Sequence, residues 1–390
     1  MTLSSILLFL PLAIPGVFAA GGLVYYLLAI FCAARRLDIP QTPISSQTTG
    51  ISLLKPLCGA EPELEECLET FFLQEYPDFE LLFAMRTTSD PALAVVERLK
   101  AKYPEVPANI ILTGEPPYAN AKVFSLDLMA QAATKAILVI TDSDTSVDSQ
   151  YLSAMAHAFE SENVGAVTNL YRGVGSGDLW SEMEAIGMST EFMAGVVVAE
   201  RLEGMKFTLG PSMAITQEAL SAIGGFAAMK DYLADDFVLG NWTDAAGWGV
   251  ALSPYVVNHH ASTQGFVKTF KHRLRWNRST RFSRPSGYFG QGFTYGLAWT
   301  LILFAAYPSA WTGTFLGLVL SVRLTLAAVL GSFLLKAQGL LRGFWMIPLQ
   351  DVISFASWLG GFTGREIVWR GERYRLLRDG RFTLVSDRIH

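Results

Sequence analysis

Apolar positions follow three successive rhythms along this chain. Residues 3–31 carry almost no charge, are long enough for a helix across a hydrocarbon core of ~30 Å, and close on Arg35 and Arg36. From residue 51 the pattern breaks into short apolar runs, which predict strands at 51–57, 79–85, 109–113 and 136–141. Between them, residues 62–73 set Leu64, Leu68, Phe71 and Phe72 at helical spacing behind a proline in the first turn, and 91–102 repeat the device with Leu93, Val96 and Leu99. Strands alternating with helices in this way predict an α/β fold built on a mostly parallel, Rossmann-like sheet. Beyond residue 290 long apolar runs return at 293–310, 311–335 and 344–362, the last interrupted by Gln350 and Asp351.

These rhythms divide the chain into an anchor at 1–36, a globular domain at 45–262, an amphipathic interfacial helix at 263–290, a membrane region at 291–363 and a basic tail at 364–390. The first segment reads as an uncleaved anchor, because a cleaved signal would bring a basic start, a shorter apolar core and a small-residue cleavage site. The chain is therefore expected to be a multi-pass integral membrane protein. Arg35 and Arg36 put the globular domain in the cytoplasm, and the arginines of the tail, among them Arg365, Arg370 and Arg373, ask for the same side. That symmetry predicts two full spans after the domain and one re-entrant or interfacial segment, the polar-interrupted one.

Charge sharpens the division. Residues 1–244 hold 30 of the 35 acidic residues, whereas residues 245–350 hold none and carry ten Lys or Arg, so the acidic chemistry belongs to the globular domain. Cys32, Cys58 and Cys67 form no metal-type spacing and imply no disulfide framework.

Three constellations carry chemistry. Asp142-Ser143-Asp144 follows the buried run ending at Thr141, and alternate residues in an extended segment share a face, so both carboxylates can converge on one divalent cation, Mg²⁺ or Mn²⁺. Such a metal neutralises a diphosphate leaving group. Asp148 is expected only to start the next helix. In Ala234-Asp235-Asp236-Phe237, Asp236 suits a general base that deprotonates an acceptor hydroxyl, and Asp235 beside it would raise its pKa. The bland reading of that pair is a helix cap. The third constellation runs from Phe270 to Arg281: Phe266, Phe270 and Leu274 recur every four residues among Lys268, Lys271, Arg273, Arg275, Arg278 and Arg281. This is a helix for an anionic membrane surface, in which Arg275 can reach a diphosphate and Trp276 can pack on an acceptor. Its place directly before an apolar run argues against nucleic acid as partner. Lys55, Asp90, Asn120 and Lys122 fall at predicted strand ends or just after them, where open sheets of this type bind nucleotides.

In their order and spacing these residues resemble the ceramide glucosyltransferases, membrane-bound family-2-like glycosyltransferases whose bacterial relatives include hopanoid glycosyltransferases. The matching stretches are LLKPLCGAEPELEECLETFFLQEYPDFELLF, SDPA, TDSDT, LADDF, the Arg275-Trp276 pair and VWRGERYRL. The resemblance implies a GT-A domain that takes a sugar, glucose from UDP-glucose, onto the hydroxyl of ceramide with inversion. It also implies that Asp90 binds the nucleotide, that Asp142 and Asp144 hold the metal, that Asp236 is the base, and that Arg275 and Trp276 end the motif written Q/R-x-x-R-W. Here His272 stands at the first position of that motif, a departure that bears on the acceptor. Hopanoid and diacylglycerol acceptors stay open, as do a bacterial inner membrane and a Golgi or ER-type membrane. Two rivals differ in class: a processive polysaccharide synthase, which needs more protein to wall a channel, and a non-catalytic membrane protein that binds nucleotide or lipid.

Overall fold

A computed structural model of the chain describes residues 3–41, 48–261, 265–369 and 371–385. The domain edges expected at 45 and 262, and Arg370, lie outside those residues. The chain packs as two compact units, a sheet unit of Ile39–Arg172, Leu202–Ser262 and Trp369–His390, and a helical unit of Met1–Asp38, Gly173–Arg201 and Thr263–Val368. Packing thus departs from linear order: 173–201 leaves the expected globular domain, and most of the tail returns to it.

The sheet unit rests on the strands β1 (Ile51–Pro56), β2 (Phe79–Met85), β3 (Ala108–Leu112), β4 (Ile137–Thr141), β5 (Thr145–Ser146), β6 (Val164–Gly175), β7 (Ser212–Thr216) and β8 (Gly249–Ala261). They form one sheet in the order β3-β2-β1-β4-β7-β6-β8-β5. The β1–β4 half is parallel, with Leu53 opposite both Leu81 and Val139, and it bears out the mostly parallel α/β expectation. β7 then runs antiparallel to β4 and β6 antiparallel to β7. Every residue of β4 is buried, as suits a central strand covered on both faces. Helix Leu64–Phe72 lays Leu64, Cys67, Leu68, Phe71 and Phe72 on the sheet, and Ala92–Lys102 lays down Val95, Val96 and Leu99. Cys67 is a buried free thiol in that packing and Cys58 an exposed one.

The tail forms β9 (Glu366–Trp369), β10 (Glu372–Leu376) and β11 (Phe382–Leu384), with β10 and β11 antiparallel. Its turn docks on the loop that leads into Asp235. The Phe382 amide donates to the Asp231 carbonyl at 2.9 Å, and Tyr232 bridges to Arg381.

In the helical unit two helices are long and apolar enough to cross a membrane, Leu12–Arg36 and Ala310–Leu334. The run expected to span at 293–310 is instead the helix Gly296–Ala306, whose eleven residues reach only ~16 Å. It packs on the first helix backbone to backbone: a Cβ added to Gly22 would lie 2.2 Å from the Gly296 Cα. The polar-interrupted run is the helix Ile347–Gly361, and its Gln350, Asp351, Ser354 and Ser357 are all buried. These are not breaks in an apolar segment but one polar face, read at helical spacing.

The amphipathic segment is helical at Phe266–Ser283 and Pro285–Gly290, yet its buried positions in the longer helix are Thr269 and Arg273, while Phe266 is 44% exposed. Arg273, counted by sequence with the solvent-facing cations, is clamped by Glu184 at 2.7 Å and Ser354 at 2.7 Å. A buried guanidinium needs such partners, and they come from elements distant in sequence.

Candidate active site

β4 delivers Asp142 to the carboxyl edge of the parallel strands, the position where open α/β sheets take ligands. A turn closed by the Thr145 amide on the Asp142 carbonyl then leads into β5, which pairs with β8 at Thr145↔His259 and Ser146↔Asn258. The Asp-Ser-Asp motif is therefore a three-residue turn held between two strands. The His260 amide donates to the Asp144 carbonyl at 2.8 Å, and His259 Nε2 stands 3.2 Å from Asp144 Oδ2.

Asp235 and Asp236 open the helix Asp235–Ala245, but neither caps it; the N-cap residue is Ala234, with no side-chain hydrogen bond. Asp235 turns to Lys122, which lies 3.5 Å from Asp235 Oδ2 and 2.8 Å from Asp142 Oδ1. Asp236 Oδ2 accepts the Gly210 amide at 3.0 Å and Oδ1 accepts the Phe237 amide at 2.8 Å. A point one Cβ out from Gly210 lies 3.3 Å from both Asp142 Oδ2 and Asp236 Oδ2. The diphosphate motif and the expected base thus flank one glycine, which supplies a donor and leaves the space between them open. Both carboxylates are half-buried, so a substrate can reach them.

Electrostatics separates the acids. Burial, then the neighbouring Asp235 carboxylate, pushes the Asp236 carboxyl up to about 6, against the pull of Lys122. Burial also raises Asp235. Burial pushes Asp144 up as well, but there His259 and the groups beside it outweigh burial and hold that carboxyl below the usual range. On Lys122 burial favours loss of the proton, and Asp142 and Asp235 reverse it, so the ammonium stays charged. A base with this setting predicts that kcat/KM falls tenfold per pH unit below about pH 6. Removing the like charge in Asp235→Asn should shift that limb to lower pH; an unmoved limb in a pH–rate profile would count against Asp236.

The other expected contacts take supporting places. Lys55 is fully buried, its ammonium 3.6 Å from the Phe71 ring centre and donating to the Asp142 carbonyl at 2.9 Å, so it braces the turn from behind instead of facing a nucleotide. Asn120 is also fully buried; it caps the helix Ala121–Ala132 through Val123 N and donates to the Tyr232 carbonyl. Asp90 accepts the Gly59 amide at 3.0 Å and the Ala92 amide at 3.0 Å, tying two strand-end loops together. Asp148 accepts the Gln150 amide just before helix Tyr151–Ala158, as a helix-start residue does. His272, Arg275 and Trp276 belong to the helical unit, where the His272 and Trp276 rings touch at a tilt of 51° with centres 4.4 Å apart.

Among the described residues, no three His, Cys, Asp or Glu side chains form a ready metal cage. Asp144 Oδ1, however, is buried without a hydrogen-bond partner, a costly state that a hard cation at this turn would relieve. The donor set of Asp142 and Asp144 fits Mg²⁺ or Mn²⁺, both of which keep several waters. Gly210 and His259 escaped the sequence reading because their roles come from register; the one available signal was a histidine pair, His259-His260, at the end of a long alternating strand.

Residues 14–382 match Glycosyl transferase family 21. Ceramide glucosyltransferase 1 of Caenorhabditis elegans is 27% identical over 267 residues, 68% of this chain and 57% of that protein. The ceramide glucosyltransferase of Komagataella phaffii is 36% identical over 120 residues, 30% of this chain and 24% of that one. The chain spans about half the length of the curated relatives it matches. A mannosyltransferase from Pyrobaculum calidifontis, solved with GDP-Man and Mn²⁺, covers 90% of this chain and 98% of its own with a TM-score of 0.55 at 20% identity, which bears out the GT-A fold. With fold, motif order and nearly the whole length in agreement, the chain belongs to glycosyl transferase family 21.

Proposed function

We propose that the protein is an inverting, UDP-sugar-dependent lipid glycosyltransferase that moves glucose from UDP-glucose to the hydroxyl of ceramide at the cytoplasmic face of a membrane it crosses more than once. The observation that carries this reading is the pairing of Asp142 and Asp236 across Gly210 in a member of this family. A divalent metal on Asp142 and Asp144 would neutralise the diphosphate as it leaves. Asp236 takes the proton from the acceptor hydroxyl, and the Gly210 amide fixes the carboxylate that receives it. The hydroxyl oxygen attacks the anomeric carbon from the face opposite the diphosphate, which inverts the configuration. Lys122 keeps Asp142 and Asp235 apart from one another's charge. Arg275 and Trp276 serve the diphosphate and the acceptor.

The test is transfer by the purified full chain from UDP-glucose to ceramide, with hopanoid and diacylglycerol as competing acceptors and mass spectrometry of the lipids. A single hexosylceramide is expected; product on another acceptor would reassign the lipid, and polymer or intact donor would end the reading. EDTA should stop turnover and Mg²⁺ or Mn²⁺ restore it, whereas full activity in chelator would remove the metal from Asp142 and Asp144.

A further inference from the structure

The helical unit holds a second polar site. Arg323 lies near the middle of the apolar helix Ala310–Leu334 and is 2% exposed. Its Nε and Nη2 donate to Asp351 Oδ2 and Oδ1 at 2.8 Å each, and Nη2 also reaches Thr190 Oγ1 at 3.2 Å. Its Nη1 is buried and has no hydrogen-bond partner. An ionisable group inside an apolar span is expensive and marks a functional site by default, and a bidentate ion pair that leaves one donor over is not explained by stability.

That guanidinium lines a small recess together with Tyr25, Tyr26, Glu191, Tyr295 and Asp351. Of the lining residues, Tyr25 and Glu191 are only half-buried. Thr190 and Glu191 sit in a π-helical turn, Met188–Phe192, a backbone irregularity that recurs at functional sites. The room inside suits one oxygen-sized group. Two carboxylates, Asp351 and Glu191, face the single guanidinium, which disfavours a phosphate; Arg323 itself disfavours a cation. The chemistry left is a neutral oxygen that accepts from an N–H.

We infer that this recess binds the hydroxyl or carbonyl oxygen of a neutral membrane lipid through Arg323 Nη1. That the lipid is the glycosyl acceptor rests on the function proposed above. The same oxygen could belong to water, and the experiment separates the two sources. The full chain in nanodiscs is photolabelled with a ceramide carrying a diazirine beside its amide, with peptide mapping, alongside KM values for ceramide and UDP-glucose. Wild type should label peptides containing Tyr25 or Glu191, and unlabelled ceramide should compete. Arg323→Lys keeps a cation for Asp351 but has no Nη1, and the double variant Arg323→Met with Asp351→Leu removes the pair together. Both should lose at least about fivefold in labelling and gain about fivefold in ceramide KM, with UDP-glucose KM unchanged; about fivefold in KM corresponds to ~1 kcal/mol. Labelling that resists competition, or that survives intact in a folded variant, leaves only water in the recess and overturns the inference. Sugar transfer without labelling here sinks this inference alone, whereas labelling without transfer to any lipid sinks the proposed function and leaves a lipid site.

Discussion

Asp236→Asn is expected to lower kcat by about 10² to 10⁴-fold while UDP binding stays within about twofold of wild type. The substitution preserves shape, and its single amide oxygen can still accept one of the Gly210 and Phe237 amides, which bind different oxygens of the carboxylate. What it removes is proton affinity at an acid raised to about 6, a value near enough to neutrality for both the free and the protonated form to be accessible. Its neighbour cannot take over. Asp235 is 7% exposed and faces Lys122, so an acceptor hydroxyl has no path to it. Single-turnover transfer with donor titration by calorimetry separates the two effects. Turnover at the wild-type level would make Asp236 a structural acid and require another base.

Lys122→Met is expected to cost about 3 to 5 kcal/mol of stability, the range for removing one partner of a buried ion pair. The ammonium lies 2.8 Å from Asp142 and 3.5 Å from Asp235, and it also lowers the pKa of Asp236. Without it three carboxylates share a cleft with no adjacent cation at that point, and the two that Lys122 holds down, Asp235 and Asp236, keep their protons more strongly. Asp236 should then be protonated at neutral pH, so activity falls along with stability. Denaturant unfolding in chelator, where no metal can stand in for the lost charge, measures the first effect. Adding Asp235→Asn in the same chain should recover part of the loss, because it removes one of the stranded acids. Wild-type stability in the single variant would mean that water, not Lys122, solvates these groups.

Where a local pattern decides the structure, reading it was enough. The four parallel strands fall within two residues of their expected bounds, because an apolar run ended by a turn or proline can adopt little else. β3, an edge strand with no fully buried residue, shifted by one residue. Asp142, Asp144 and Lys122 were legible as residues at or after strand ends, and Asp235 with Asp236 as a carboxylate pair at a helix start; the fold brings Lys122 to Asp142 and Asp235. The losses came where a residue is defined by a distant partner. Lys55 resembled a substrate-facing cation until Phe71 and the Asp142 carbonyl covered it. Gln350 and Asp351 resembled interruptions until Glu191 and Ser354 accepted from the one and Arg323 donated to the other. Gly210 carries no side-chain signal at all; its importance is the space it leaves.

The docking of Phe382 on Asp231 bears on how the protein is made. A ribosome releases the chain from the N-terminus onward, so the loop before Asp235 emerges about 150 residues ahead of the strand that braces it. Every apolar helix of 296–361 is synthesised in that interval. Until then the loop lacks the hydrogen bond and the bridge at 231–232. The brace on the loop before Asp235 therefore forms only after the whole helical stretch has been translated.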